Sequence, residues 1–240
     1  MIKYHSKYRS TQNEIMDDFA LKGEELNILL TDLQRVNEQL GGNRITLTGI
    51  KKLLCKQSKS KTFKIVDIGC GDGHLLRECA KFGKKHGYNL QLVGVDANEN
   101  IIAEAKKRSQ KFENIRYAQV DVFSAEFDDF ECDIVLCTLF LHHFENDTVV
   151  AILKRISENA KLGVVVNDLQ RSRMAFFLFR LYSLFFISTK IAKHDGLVSI
   201  ARAFKKKELN LLLAQLKNVT YKITWKWAFR YQWILTRTDV

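Results

Sequence analysis

The chain has 240 residues, 46% of them hydrophobic, and 38 Lys and Arg against 27 Asp and Glu give it a net charge of +11. This length and composition can bury the core of one domain with additions. The first ten residues are polar and basic without an apolar segment, so we expect no secretory signal and a cytoplasmic location. The five cysteines contain no C-x-x-C pair, which argues against a disulfide framework or a cysteine metal site.

Residues 1–60 are predicted to form an N-terminal helical cap. Residues 11–40 place apolar side chains on one helical face, and Gly41-Gly42 is expected to end that helix. A second short helix is predicted from Thr48 to Leu54, followed by a polar linker. In one interpretation this region only packs. In the other it closes over a ligand and shapes an acceptor pocket.

Strands alternate with helices in the part of the chain that follows, and we assign residues 61–240 to one domain. Such alternation requires right-handed crossovers and a parallel sheet. A ligand is then expected at the carboxyl ends of the strands. The predicted strands lie near 63–68, 91–96, 115–119, 133–137 and 163–168.

The first strand leads into a loop with glycine at positions 69, 71 and 73. Glycine permits positive φ angles and lets a ligand approach the backbone, where the N–H groups of the next helix also point. Asp96 ends the second strand about 23 residues after Gly73, near the spacing expected of a ribose-binding acid. The pattern therefore predicts a nucleoside ligand.

The loop also carries acidic residues, since Asp67 precedes it and Asp72 lies inside it. Dinucleotide sites present G-x-G-x-x-G with small or apolar fillers, because a pyrophosphate needs bare N–H donors. Carboxylates would repel a pyrophosphate and suit a cationic ligand. S-adenosylmethionine, which carries an ammonium and a sulfonium, is such a ligand.

Four segments in order resemble the motifs of class I S-adenosylmethionine-dependent methyltransferases. Residues 66–73, Val-Asp-Ile-Gly-Cys-Gly-Asp-Gly, resemble the first motif, and residues 94–98 resemble the ribose-binding motif. Residues 119–122 are similar to the segment whose acid reaches the adenine amino group. Residues 132–137 resemble the fourth strand, and Leu141-His142-His143-Phe144 resembles the loop beyond it in small-molecule methyltransferases.

The resemblance covers roughly residues 60–170 and implies a Rossmann-like α/β fold. We expect a three-layer sandwich around a mainly parallel seven-stranded sheet with an antiparallel last strand, plus a helical insertion after the fifth strand. At the end of the chain, a helix over 206–216 and strands over 219–227 and 231–236 fit the closing hairpin. The layout is most similar to methyltransferases of quinone and polyketide metabolism.

The resemblance also implies which residues bind the cofactor. Asp67 either holds the loop or contacts the cofactor's ammonium, and Asn98 either caps the helix over 99–110 or contacts the cofactor. Asp121 either recognises adenine or forms a turn. The full predicted set is Asp67, Gly69, Cys70, Gly71, Gly73, Asp96, Ala97, Asn98, Asp121 and Val122.

Histidines supply the candidate catalytic groups, because an imidazole can take a proton near neutral pH. His142 and His143 lie in the loop beyond the fourth strand, and His194 lies near the end of the insertion. The alternative for the histidine pair is that it only structures its loop. The pair has no carboxylate or cysteine at ligand spacing in the sequence, so we expect no metal.

Residues 169–207 are predicted to form a basic, aromatic lid. They hold nine Lys or Arg against one Asp, and their apolar run is too short to span a bilayer. We expect His194-Asp195-Gly196 to form a turn or to bring a proton acceptor over the pocket. The alternative for the whole segment is a surface that contacts a membrane or a second subunit. The predicted substrate-binding residues are Arg171, Arg173, Phe176, Phe179, Arg180 and Tyr182.

The sequence thus predicts a methyltransferase that methylates oxygen or carbon of a small, partly apolar acceptor, with or without an anionic end. The positive charge keeps an RNA methyltransferase as the alternative enzyme. We do not expect nucleic acid as the acceptor, because the chain lacks an Asn/Asp-Pro-Pro-Tyr motif and paired catalytic cysteines. The non-enzyme alternative is a nucleoside-binding or membrane-associated protein without catalysis.

Overall fold

The computed structural model describes residues 2–238, which fold into seven strands flanked by helices. The strands are β1 Thr62–Ile68, β2 Asn89–Asp96, β3 Ile115–Gln119, β4 Cys132–Thr138, β5 Ala160–Leu169, β6 Val219–Lys226 and β7 Arg230–Arg237. The α-helices are α1 Gly23–Gln39, α2 Gly42–Leu54, α3 His74–His86, α4 Glu99–Arg108, α5 Asn146–Asn159, α6 Arg173–Phe186, α7 Lys190–Arg202 and α8 Lys206–Leu213. Short 3-10 turns cover Ile15–Asp17, Ala125–Asp129 and Leu141–His143.

The strands form a single sheet in the order β3-β2-β1-β4-β5-β7-β6. The first five strands pair in parallel, whereas β7 is antiparallel to both of its neighbours, β5 and β6. The strand order reverses between β1 and β4, which is where open α/β sheets bind ligands. The predicted Rossmann-like architecture is confirmed.

The central strands are apolar on both faces because helices cover both sides of the sheet. On β1, Ile65 packs with helices α2 and α3, and the next residue, Val66, packs with α5 and α8. On β4, Ile134 packs in the core on the α2 and α3 side, and Val135 packs in the core on the α5 and α8 side. Successive side chains of a strand point to opposite faces, so one run of apolar residues builds two cores.

The N-terminal prediction is wrong in two details. Residues 11–22 are mostly irregular and α1 begins at Gly23, while α2 begins at Gly42 rather than Thr48. Gly41 takes a φ of 68°, a left-handed conformation that reverses the chain directly into the next helix. The glycine pair therefore joins two helices instead of ending one.

The insertion forms two helices, and α7 contradicts part of the sequence prediction. His194-Asp195-Gly196 lies inside α7, so the predicted turn is wrong. Gly196 is tolerated in this helix because the Phe179 ring packs on it, and a Cβ there would lie 2.2 Å from Phe179 Cζ. Within residues 2–238, no helix combines the length and the apolar character that crossing a membrane requires.

Two aspartates join the N-terminal segment to the insertion. Asp195 on α7 accepts hydrogen bonds from the backbone N–H groups of Ile15 and Met16, at 2.8 and 2.9 Å. In return, Asp32 on α1 accepts from the backbone N–H groups of Ser188 and Thr189, at 3.0 and 2.8 Å, just before α7. Each segment thus supplies a buried acid to the other segment's backbone.

Candidate active site

The glycine loop, residues 69–73, connects β1 to α3 at the reversal of strand order. All three glycines have positive φ angles, but they serve different purposes. A Cβ on Gly69 would meet the Phe140 ring at 2.4 Å, and one on Gly73 would meet Tyr117 Oη at 1.8 Å. A Cβ on Gly71 would meet no atom within 4 Å. Gly71 is therefore the position where the loop backbone faces open space.

Asp67 lies beneath this loop with an unpaired oxygen. Its side chain is buried, and Oδ1 has no hydrogen-bond partner among the described residues. Burial, with a further contribution from Asp96, raises the pKa of Asp67 well above its ordinary value. No loop N–H donates to this oxygen, which therefore stays available to a cationic ligand.

Asp96 ends β2 beside the loop, as predicted. Its Oδ2 accepts a hydrogen bond from Gly71 N–H at 3.3 Å, and its Oδ1 accepts from Asn98 N–H at 3.0 Å. Burial raises the pKa of Asp96, although these backbone donors partly offset the effect. The carboxylate is thus fixed against the open part of the loop and keeps lone pairs for a ligand.

The remaining predicted cofactor residues have visible local roles. Asn98 is buried and caps α4, with Oδ1 accepting from Asn100 N–H at 2.9 Å. Asp121 Oδ1 accepts from Phe123 N–H at 2.9 Å and forms a turn after β3. Val122 belongs to the apolar core, Cys70 is buried in the loop, and Ala97 precedes the cap. Cofactor contacts by these residues stay predictions.

Asp72 does not add free negative charge to the loop, and the sequence argument that gave it this role is wrong. It forms ion pairs with Arg77 at 3.1 Å and with Arg108 at 2.8 Å. All three side chains are at most 17% exposed. Arg108 also donates to the backbone oxygen of Asn27 at 3.0 Å, so the cluster fastens α1 over the loop.

A cavity of about 180 Å³ lies above the loop and reaches the histidine pair. Asp67 and Gly71 form part of one wall, and His142 and His143 form part of another. Helix α1 covers the cavity, in agreement with the interpretation that the N-terminal region shapes a pocket. The residues that α1 contributes are Leu30, Leu33, Gln34, Val36 and Asn37.

The histidine pair has carboxylate partners, contrary to the sequence expectation. His142 Nδ1 lies 2.7 Å from Asp168 Oδ1, and its Nε2 lies 3.3 Å from Glu14 Oε1. His143 Nδ1 lies 3.0 Å from Asp17 Oδ1. Burial lowers the pKa of His142, but Asp168 and Glu14 outweigh it and raise that pKa to about 9.

Glu14 was missed because no local pattern marks it. The residue lies in irregular backbone before the first 3-10 turn, which Asp195 anchors. Its Oε1 accepts from Ser199 Oγ on α7 at 2.7 Å. The third predicted base, His194, pairs instead with Asp195 at 2.8 Å and is not among the residues that line this cavity.

The predicted substrate residues separate into three groups. Arg171 is buried in an ion pair with Glu208 and donates to Ala203 O at 2.7 Å, so its predicted contact with an acceptor is wrong. Arg173, Phe176 and Arg180 line a surface groove together with Tyr4 and Ser6.

Phe179 and Tyr182 line a second cavity, of about 220 Å³, on the inner face of α6. Its lining is mainly apolar and includes Phe229 from the β6–β7 turn. The two cavities adjoin, because one set of residues lines both of them. This shared set is Leu33, Val36, Leu139, Leu169 and Ser199.

Comparisons with known proteins agree with this geometry. Residues 65–163 match the model of a methyltransferase domain. A protein of Geobacillus sp. (strain WCH70) that is named as a methyltransferase is 30% identical over 115 residues, which are 47% of this chain and 44% of that protein. The demethylmenaquinone methyltransferase of Staphylococcus aureus (strain MRSA252) is 26% identical over 137 residues, 57% of this chain and 55% of that protein. The chain thus spans about half the length of the curated relatives it matches.

A solved structure extends the likeness to almost the whole fold. The plantazolicin methyltransferase BpumL, in complex with S-adenosylhomocysteine (SAH), superposes with a TM-score of 0.64 at 16% identity, covering 92% of this chain and 93% of that one. At this identity the match supports the fold alone. Residues 65–163 thus carry the similarity to a methyltransferase domain, and the structural match extends the shared fold to most of the remaining chain.

Proposed function

We propose that this protein transfers a methyl group from S-adenosylmethionine to a small, partly apolar acceptor. The observation that carries the proposal is the junction of two cavities with different chemistry. The one at the glycine loop contains an unpaired buried carboxylate oxygen, and the one beneath α6 is mainly apolar. A charged methyl donor and an apolar acceptor would meet where the cavities adjoin.

The cofactor would lie along the glycine loop. Asp67 Oδ1 would accept from the ammonium of the methionine part, and Asp96 would accept from the ribose hydroxyls. Gly71 would allow the ligand to approach, since its Cα faces open space. Placement of the adenine near Asp121 follows from the family resemblance.

Methyl transfer from a sulfonium leaves little covalent chemistry to the protein, since the leaving group is already activated. Holding donor and acceptor aligned away from water can lower the barrier by roughly 7 to 11 kcal/mol. His143, which lines the cavity, would be the group that accepts a proton from a hydroxyl acceptor, whereas His142, with a pKa raised to about 9, already carries a proton near neutral pH. A carboxylate acceptor would need no base.

The proposal is tested by calorimetry with S-adenosylhomocysteine, followed by transfer of labelled methyl from S-adenosylmethionine. The acceptor panel should pair apolar quinols and phenols with water-soluble analogues that carry the same reacting group. We expect SAH to bind and label to pass preferentially to the apolar members. Labelling of RNA with no transfer to small acceptors would support the alternative enzyme and contradict this one.

Replacing Asp96 by alanine should weaken SAH binding by about 1.5 to 3 kcal/mol, since hydrogen bonds to a charged group are lost. Calorimetry would measure the change. The matched control is Asp133→Ala, because Asp133 also accepts a hydrogen bond from a backbone N–H, that of Lys64, at 2.8 Å. Asp133 lies near the start of β4, at the opposite end of the strand from the glycine loop. Equal losses for the two variants would mean that Asp96 acts on the fold and not on the ligand.

Replacing Phe179 by alanine should raise the KM for an apolar acceptor by about tenfold, because a pocket of this kind loses contact area. SAH affinity should stay unchanged, since Phe179 lines only the apolar cavity. Phe177→Ala is the control, because Phe177 lies on the same helix but is 65% exposed. A similar KM change in both variants would contradict an acceptor-binding cavity beneath α6.

A further inference from the structure

Three groups that can ligate a metal converge in the cavity beside the glycine loop. Glu14, His142 and His143 bring one oxygen and two imidazole nitrogens within 4.8 Å of one another. The Glu14 carboxylate is the common point, because its Oε1 lies 3.3 Å from His142 Nε2 and its Oε2 lies 3.9 Å from His143 Nε2. Ligand atoms of a tetrahedral zinc ion lie roughly 3.3 Å apart, given bonds of about 2.0 to 2.2 Å.

One of these nitrogens has no hydrogen-bond partner within the described part of the chain. His142 is 2% exposed, and its contact with Glu14 at 3.3 Å is outside hydrogen-bond geometry. Nε2 faces the Glu14 carboxylate, and Glu14, His142 and His143 all line the same cavity. Burying a polar atom without a partner is costly, so such an atom calls for a ligand.

The surrounding carboxylates match the outer shell of a metal site. His142 Nδ1 is bonded to Asp168 Oδ1 at 2.7 Å, and His143 Nδ1 lies 3.0 Å from Asp17 Oδ1. Metal-binding histidines usually hold their other ring nitrogen against a carboxylate or carbonyl, which fixes the ring and strengthens the ligand. His142 has this arrangement through a hydrogen bond, whereas the contact between His143 Nδ1 and Asp17 is outside hydrogen-bond geometry.

The third ligand is also held in place from outside. Ser199 Oγ donates to Glu14 Oε1 at 2.7 Å, and Asp195 fixes the backbone of the two residues that follow Glu14. Two arginines hold the histidine loop through its backbone, since Arg9 and Arg202 each donate to His142 O at 3.0 Å. The three groups therefore do not depend on an ion for their position.

We propose that Glu14, His142 and His143 bind a divalent transition-metal ion of the zinc type in the cavity beside the glycine loop, which adjoins the apolar cavity. Two imidazoles and one carboxylate favour such an ion over Mg²⁺, which prefers oxygen ligands. Three protein ligands leave a coordination position open toward the cavity, as in catalytic zinc sites. An oxygen of the acceptor can fill it, and this use of the site, unlike the binding itself, rests on the proposed function.

The site is tested by calorimetric titration of the metal-stripped protein with Zn²⁺ alone. We expect one site with a dissociation constant in the micromolar range or tighter. Glu14→Gln and His143→Gln should each weaken Zn²⁺ binding by at least about tenfold, because even mutations of residues that only support the metal ligands have an effect of this size. His86→Gln is the control, since His86 lies at the end of α3 and does not belong to the cluster. Melting temperatures establish that each variant is folded.

Cobalt gives an independent readout. Bound Co²⁺ should produce visible absorption bands. The bands should disappear when Zn²⁺ displaces Co²⁺, and they should be absent in Glu14→Gln. No Zn²⁺ binding by the folded protein, or binding that both ligand variants retain, would overturn the proposal and leave a salt-bridge network in its place. SAH binding is measured on the same samples, so failure of the metal site and failure of the proposed methyl transfer are distinguishable.

Discussion

Gly71→Val is expected to abolish binding of S-adenosylhomocysteine while leaving a folded protein. The glycine has a φ of 53°, and the added side chain would enter space where no atom lies within 4 Å of the Cβ position. A branched side chain there would occupy the path of the ligand along the loop. Calorimetry with SAH and a melting curve measure the two effects separately.

Gly87→Val is the matched control. Gly87 has a φ of 72° at the end of α3, and a Cβ there would approach only Lys59 Cδ, at 4.0 Å. Both variants pay a similar cost for the left-handed backbone, about 1 to 2 kcal/mol. Only Gly71→Val should lose SAH. Normal binding by Gly71→Val would mean that the ligand lies away from the loop.

Asp72→Ala is expected to lower the free energy of unfolding by about 3 to 5 kcal/mol, because it removes the carboxylate of Arg77 and the nearer of the two carboxylates of Arg108, the other being Glu104. Both arginine side chains are largely buried, at 10% and 17% exposure. The loss should appear as a lower midpoint in urea unfolding.

Asp128→Ala provides the comparison for this stability prediction. Asp128 also pairs with an arginine, Arg155 at 2.7 Å, but its side chain is 59% exposed. Exposed ion pairs contribute little to stability. A destabilisation by Asp72→Ala no larger than that by Asp128→Ala would show that the buried cluster is not what holds α1 over the loop.

The sheet was largely predictable from the sequence, because its signals are local. The central strands are short apolar runs, and the strand bounds differ from the prediction by a few residues at most, as at β5, which begins at Ala160. Helix bounds near the N-terminus were less predictable. The pair Gly41-Gly42 indicates that the chain reverses direction. It does not indicate whether a loop or a second helix follows.

The candidate site was predictable mainly where it belongs to the loops after β1, β2 and β4. Glu14 reaches the histidine pair from irregular backbone, and its position depends on Asp195 in a distant helix. Arg171 illustrates the opposite error. A basic residue in a basic segment suggested ligand recognition, but its partner, Glu208, lies in α8, beyond both helices of the insertion. Charge patterns along a chain do not reveal which charges pair.

The hydrogen bonds that Asp195 and Asp32 make across the N-terminal segment and the insertion have a consequence for engineering. Each segment's backbone is partly satisfied by an acid from the other, so exchanging one segment for a sequence without that acid leaves backbone N–H groups of the other without their acceptor. A chimera that takes residues 2–40 and 169–205 from one parent and the sheet from another keeps both sets of bonds. Under the proposed function, acceptor preference should therefore follow these two segments as a unit, independently of the glycine loop and Asp96.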